Sequence, residues 1–249
     1  MNNQSTEGRI QKARPDDVAY IHEWLIEQEK EEVEGSFLCN WNLTYESFQN
    51  GELIVFVESS SNNAVAYQWG SLTSPGILEV RADMRGKGIG KRLVEYRINQ
   101  ARENEACILR IQCKPASSIP FWKKMGFELT GSGSNYAYRL LEHELALPEE
   151  GEEVNVQIRS FPNSRQWNEN TLPVIETSQT GFLENNETVY LAKRVCIPSF
   201  LDAWDGDVVV EIIVNESSVY VDKAKYPEAE KLGIVRMPNG FSIDRIHLK

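Results

Sequence analysis

The sequence predicts a mixed α/β domain over residues 9–141, followed by a smaller β-rich domain over residues 154–249. Three observations carry this. One long amphipathic helix stands among strand-length runs in the first part. A short acidic run at residues 148–153 follows the last of those runs. After it come five more strand-like runs and no long helical period.

Taken in order, residues 10–13 are short and alternating, as in a strand. Pro15-Asp16-Asp17 marks a helix start, with Asp16 or Asp17 to cap free amides and Val18, Ile21 and Leu25 at spacings of three and four. Residues 44–49 suit a second helix. Residues 53–57 and 64–69 read as two strands of a hairpin about the polar turn 59–63. Residues 77–82 form another strand. Residues 88–103 are the clearest helix, since Ile89, Leu93 and Tyr96, and Val94, Ile98 and Ala101, repeat at four and three. Residues 106–113 return as a buried strand, and 118–125 as a short helix stopped by Gly126. Residues 127–130 and 135–141 are two last strands about a Gly/Ser turn. The acidic run 148–153 is then a linker between a domain at 1–147 and an accessory domain at 154–249. The strands of the latter fall at 154–160, 189–197, 208–214, 218–222 and 233–237.

The chain has 249 residues, enough to bury a substantial core, and its formal net charge is −11. That charge argues against a nucleic-acid partner, because phosphate binding needs a basic surface. No apolar run approaches the roughly 20 residues of a membrane-spanning helix, and the polar N-terminus lacks a signal-peptide pattern. Cys39, Cys107, Cys113 and Cys196 are scattered among mostly apolar neighbours, which suggests buried free thiols in a reducing cytoplasm. Neither they nor the dispersed His22, His143 and His247 suggest a metal site. Against the acidic background, residues 81–97 hold six bases (Arg81, Arg85, Lys87, Lys91, Arg92, Arg97) and two acids (Asp83, Glu95), net +4. Such an island suggests a local anion site; a solvated basic helix face is the plainer alternative.

The stretch from Val80 to Arg97 has the parts of a pyrophosphate cradle. A strand ends at Val80-Arg81-Ala82. The loop Arg85-Gly86-Lys87-Gly88-Ile89-Gly90 opens directly into the amphipathic helix. Glycines let a ligand approach the main chain closely. The free amides and dipole of the helix start favour negative charge, and Arg85, Lys87 and Lys91 add counter-charge. There is no Gly-Lys-Ser/Thr ending of a nucleotide P-loop. The loop also opens with Arg, lies mid-chain and lacks the third glycine of a dinucleotide fingerprint.

Residues 80–90 resemble the central motif of the GNAT acetyltransferase superfamily, Arg/Gln-x-x-Gly-x-Gly/Ala after a strand. Phe121-Trp122-Lys123-Lys124-Met125-Gly126-Phe127 resembles that family's next block, about 30 residues later. The resemblance spans about residues 9–141 and implies a mixed, mostly antiparallel central sheet flanked by helices. It implies acetyl-CoA as co-substrate, with its pantetheine arm at Val80, Arg81 and Ala82. The pyrophosphate then lies on Arg85, Gly86, Lys87, Gly88, Ile89, Gly90 and Lys91, and Ser118 and Phe121 line the arm. The implied chemistry is direct attack of an amine on the thioester, aided by alignment and backbone dipoles.

One departure stands out. The family often has tyrosine as general acid where this chain has Trp122, and an indole is no useful proton donor to a thiolate. Tyr138, with Tyr136 on the same expected strand, is the candidate replacement, and Cys113 ends the strand before it; packing roles are open for each. Glu79, the only acid in its strand, is the candidate proton relay; pairing with Arg81 or facing water are its plainer roles. Two function classes follow: an N-acetyltransferase acting on a small or protein amine, for which overall acidity favours a cationic acceptor, or a non-catalytic acyl-CoA-binding or interaction module. The accessory domain could cover the acceptor cleft, form a homodimer or bind a protein through Trp167, Trp204 or Tyr220, or those aromatics could simply form its core.

Overall fold

The structure, a computed structural model, describes residues 6–161, 171–201 and 208–248. The first part runs β1 (Gly8–Lys12), α1 (Pro15–Lys30), α2 (Trp41–Gln49), β2 (Ile54–Glu58), β3 (Ala64–Gly70), β4 (Pro75–Val80), α3 (Ile89–Glu103), β5 (Ile108–Gln112), α4 (Ile119–Lys124), β6 (Glu128–Leu129) and β7 (Tyr136–Leu140). Every element expected there is present.

Helix α1 starts where Pro15 sets φ and Asp17 accepts the Arg14 amide at 2.9 Å. Its buried stripe, Val18, Ile21, Trp24 and Leu25, packs with Val55 and Val57 of β2. Helix α3 packs Ile89 and Leu93 with Ile54 and Phe56. The alternation along β2 thus sends successive side chains to different helices. Trp24 also donates to the Ala64 carbonyl at 3.2 Å. Burying a side chain of this kind is worth about 2–3 kcal/mol, and truncating Trp24 to alanine costs about 3–5.

Strands β1-β2-β3-β4 form an antiparallel four-stranded sheet in that order. Strand β4 is its edge. The next strand in sequence, β5, belongs to a separate three-stranded sheet of order β5-β7-β6. The Arg110 amide reaches the Thr73 carbonyl at 2.9 Å, but β4 and β5 share no ladder among the described residues.

The second part holds β8 (Glu152–Phe161), β9 (Ile175–Glu184), β10 (Thr188–Pro198), β11 (Val209–Val214), β12 (Ser217–Lys223), α5 (Pro227–Lys231), β13 (Ile234–Met237) and β14 (Gly240–His247). It is one antiparallel sheet of order β12-β11-β8-β9-β10-β14-β13. Its core gathers Val156, Ile158, Val189, Leu191, Val210, Ile212, Ile243 and Ile246. Strands β9 and β14 and helix α5 add to the sequence reading. Glu152 and Glu153, read as linker, begin β8 and pair with Leu183 and Phe182 of β9. Trp167 and Trp204 lie outside the described residues. Tyr220 is half-buried on β12 and donates to the Lys223 carbonyl at 2.9 Å.

By compactness the chain divides into Met1–Asn104 with Arg110–Glu128 and Asn135–Ala137, and Glu105–Leu109 with Leu129–Ser134 and Tyr138–Lys249. Among the described residues no helix is long and apolar enough to cross a membrane. Cys107, Cys113 and Cys196 are buried, whereas Cys39 is exposed, contrary to the expectation of burial: it sits in the short helical turn Leu38–Asn40 before α2, which holds no buried residue.

Candidate active site

A cavity of about 1040 Å³ lies in the first unit beside β4. Every residue of β4, from Pro75 to Val80, lines it. The geometry of β4 explains why. The Arg81 amide points back to the Val65 carbonyl of β3 at 2.9 Å. Main-chain groups alternate along a strand, so the amides of Leu78 and Val80 point the other way, to the edge that no strand pairs among the described residues. The cavity thus has a wall of main-chain groups that no neighbouring strand pairs among the described residues.

The glycine loop forms another wall. Gly86, Gly88, Ile89 and Gly90 line the cavity with Arg85 and Lys91. Gly86 and Gly88 adopt φ of +78° and +79°, which glycine tolerates best, and a Cβ on either would meet nothing within 4 Å. Open space lies over the start of α3, whose first amides have no carbonyl to receive them. Lys114 and Lys124 also line the cavity, so four bases face two acids there, Glu34 and Glu79, in a chain of net charge −11. The sequence reading missed both lysines, although α4 ends in Lys123-Lys124, where bases complement a helix C-terminus.

Not all of the basic island serves the cavity. Arg92 donates to the carbonyls of Thr6 and Gly8 at 2.9 and 2.8 Å, and Arg97 to that of Glu52 at 2.6 Å. Arg81 is tied to Asp83, at 2.6 and 2.9 Å, and to Tyr20. Lys87 lies 3.2 Å from the Met84 sulfur, and Lys91 pairs with Glu95 at 3.6 Å. Arg85 spans two main-chain carbonyls, Val80 at 3.0 Å and Glu34 at 2.9 Å. Of the expected cofactor residues, Val80, Arg85, Gly86, Gly88, Ile89, Gly90, Lys91, Ser118 and Phe121 line the cavity, whereas Arg81, Ala82 and Lys87 do not. The Ala82 amide is already given to Gln28 Oε1 at 2.7 Å.

Glu79 is the centre of the polar wall. It is only 3% exposed, yet it lines the cavity. Gln28 Nε2 donates to its Oε1 at 3.0 Å. Tyr67 Oη, at 2.9 Å, and the Phe37 amide, at 3.1 Å, donate to its Oε2. Burial pushes the carboxyl up to about 7; the bonds from Tyr67, Phe37 and Gln28 and the charge of Arg85 oppose that rise. Burial, and then the Glu79 charge, push the Tyr67 phenol well above its usual range. A carboxylate of near-neutral affinity inside a cavity is suited to proton exchange near neutral pH.

Trp122 is buried edge-on to Phe121 and Phe127, with ring centroids 5.1 and 5.3 Å away. Tyr138 does not line this cavity. It packs edge-on to Phe200 in a cluster with Cys107, Ile108 and Cys196. Tyr136 lies 39% exposed, its hydroxyl accepting from Gln112 at 3.3 Å. Among the described residues, no group of three or more His, Cys, Asp or Glu is placed to hold a metal ion.

Residues 10–127 match the model of the acetyltransferase (GNAT) family. Similar solved structures include a GNAT acetyltransferase from Staphylococcus aureus Mu50, at 15% identity over 54% of this chain and 99% of that one, TM-score 0.44. Others are the GNAT N-acetyltransferase YhbS from Escherichia coli with CoA (16%, 56% and 84%, TM-score 0.41) and a GNAT acetyltransferase from Brucella melitensis with acetyl-CoA (16%, 57% and 92%, TM-score 0.42). No curated protein matches the chain. Residues 10–127 are a domain of the GNAT acetyltransferase family.

Proposed function

We propose that the protein transfers the acetyl group of acetyl-CoA to a primary amine within a ternary complex. One observation carries this reading: a buried carboxylate titrating near 7 shares a cavity with an unpaired strand edge and the open start of a helix. The cavity residues fit the co-substrate. The amides at the start of α3, with Arg85, Lys91, Lys114 and Lys124, provide for a pyrophosphate. Phe121, Ile89 and Leu78 give an apolar passage for a slender arm. Ser118 adds a buried hydroxyl with no hydrogen-bond partner among the described residues.

The acceptor then enters beside Glu34, Phe37, Asn40, Leu43 and Trp69. Glu79 takes a proton from its ammonium, leaving the nitrogen lone pair free. That nitrogen bonds to the thioester carbon, and the outward β4 amides stabilise the negative charge developing on oxygen. The carbon–sulfur bond breaks, the thiolate leaves beside the positive end of α3, and the second proton of the attacking nitrogen passes through water to the thiolate sulfur, giving the neutral amide and CoA thiol. Glu79 returns its proton to water. In this reading residues 1–147 do the chemistry in the cytoplasm, residues 148–153 connect, and residues 154–249 are an accessory domain.

The test is thioester cleavage with acetyl-CoA over a panel of alkylamines, arylalkylamines, polyamines, amino acids and peptides. Release of CoA thiol together with acetylated product is the expected outcome. Tight CoA binding with no turnover across the panel would leave a non-catalytic acyl-CoA-binding module instead.

A further inference from the structure

The Glu79 carboxylate is held by groups from three different parts of the first unit. Gln28 comes from α1, Tyr67 from β3 and the Phe37 amide from the segment between α1 and α2. Gln28 is itself fixed, because its Oε1 accepts the Ala82 amide at 2.7 Å while its Nε2 serves Glu79. Tyr67 is fully buried and lies opposite Glu79 in the β3–β4 ladder. Neither side chain lines the cavity. Gln28 and Glu79 are both among the few buried polar side chains, and burial of such groups is tolerated where their hydrogen bonds are complete.

We propose that Gln28 and Tyr67 are positioning residues of the acetyl-transfer site, which fix the two oxygens of Glu79 and set the pH at which transfer begins. The inference rests on the reading of Glu79 as the base. Each donor favours the ionised carboxylate over the neutral acid, so each lowers its proton affinity against the effect of burial. Besides each other, the charged or titratable groups that bear on the pair are Arg85, which acts on Glu79, and the Cys39 thiol, which acts on Tyr67; the uncharged Thr44 hydroxyl also bonds Tyr67. Tyr67→Phe deletes one oxygen, and with it the contact to Thr44, but keeps the ring and leaves Arg85 in place. With one donor gone the carboxylate binds its proton more tightly. Activity is then lost near neutral pH and recovered at higher pH. A group that only packed the core would lower activity at every pH alike.

The experiment is the pH profile of kcat/KM, with one amine acceptor, for wild type, Tyr67→Phe, Gln28→Met and Glu79→Gln. The wild-type acid limb should fall near pH 7. Tyr67→Phe should move it up by about one pH unit, and Gln28→Met should move it the same way. The high-pH plateau should stay within about threefold of wild type. A limb that stays in place in both folded variants, or a uniform loss at all pH values, overturns the positioning role. Glu79→Gln separates the two ideas. If its limb persists, Glu79 is not the base and both fall; if its limb vanishes while Tyr67→Phe is unshifted, only the positioning role falls. Carbon-13 NMR of glutamate-labelled protein reads the same titration without turnover. One carboxyl carbon should titrate near pH 7, be absent in Glu79→Gln and move upward in Tyr67→Phe.

Discussion

Arg85 donates to the carbonyl of Glu34, 51 residues away in sequence, at 2.9 Å, while its Nε holds the Val80 carbonyl at 3.0 Å. One side chain thus ties the glycine loop to the end of β4 and to the segment after α1. A guanidinium has five N–H donors, more than these two bonds use, so it can still meet a phosphate. Arg85→Ala should weaken acetyl-CoA binding by about tenfold or more, and Arg85→Lys should restore only part of it, because one ammonium cannot span both carbonyls. Calorimetry decides; normal affinity in Arg85→Ala would reduce Arg85 to a strut.

The start of α3 yields a sharper pair of variants. Gly88 has φ +79°, and a Cβ added there meets only open space, so Gly88→Ala carries only the backbone strain of that conformation, about 1 kcal/mol. Gly88→Glu carries the same strain and adds a negative charge at the helix start. Gly88→Ala should bind acetyl-CoA nearly normally, and Gly88→Glu at least about a hundredfold more weakly. Equal affinities for the two would place the phosphates elsewhere.

Glu79 also leaves a mark on stability. Its folded pKa of about 7 stands above the ordinary value of 4.5. Between those values the folded state binds more protons than the unfolded chain, so the Glu79 contribution to stability falls as pH rises through this window. Relative to wild type, Glu79→Gln should therefore gain stability from pH 5 to pH 8, by up to roughly 3 kcal/mol. Urea midpoints of both proteins at the two pH values measure it, and a constant difference would contradict the raised pKa.

Trp122 and Tyr138 are expected to separate packing from catalysis. The indole of Trp122 packs edge-on to Phe121 and Phe127, and its N–H is too weak an acid to protonate a thiolate. Trp122→Phe should cost about 1–2 kcal/mol of stability and leave kcat within about threefold. Tyr138 packs with Phe200 and does not line the cavity, and Tyr138→Phe should leave the rate unchanged. A large loss of kcat in Tyr138→Phe would restore a tyrosine to the mechanism.

The sequence disclosed most clearly what local pattern controls. The strand at Val80, the glycines and the apolar repeat of α3 are neighbours in the chain, and their structure follows from propensity and periodicity. Strand β9 was hidden because IETSQTGFLE is mostly polar. It is a strand because β8 and β10 pair with it on both sides, and Gly181 fits because a Cβ there would strike Val156 and Val189. Strand β14 was hidden by Asp244-Arg245, yet Asp244 is matched by Arg194 of β10 at 2.7 and 2.8 Å. In the site, Glu79 stood out as a lone acid in its strand. Its partners did not, because Gln28, Phe37 and Tyr67 are 51, 42 and 12 residues away and meet it only through the tertiary fold.

The open edge of β4 has a cost as well as a use. A strand edge with no ladder among the described residues is a template on which an extended segment can dock, including one from another copy of the protein. Arg85, by taking the Val80 carbonyl, blunts one end of it. Concentrated protein without ligand should therefore be the form most prone to clumping on storage or heating, and a molecule lodged along that edge should act as its solubiliser. Shelf life, in such a fold, becomes a property of the occupant as much as of the chain.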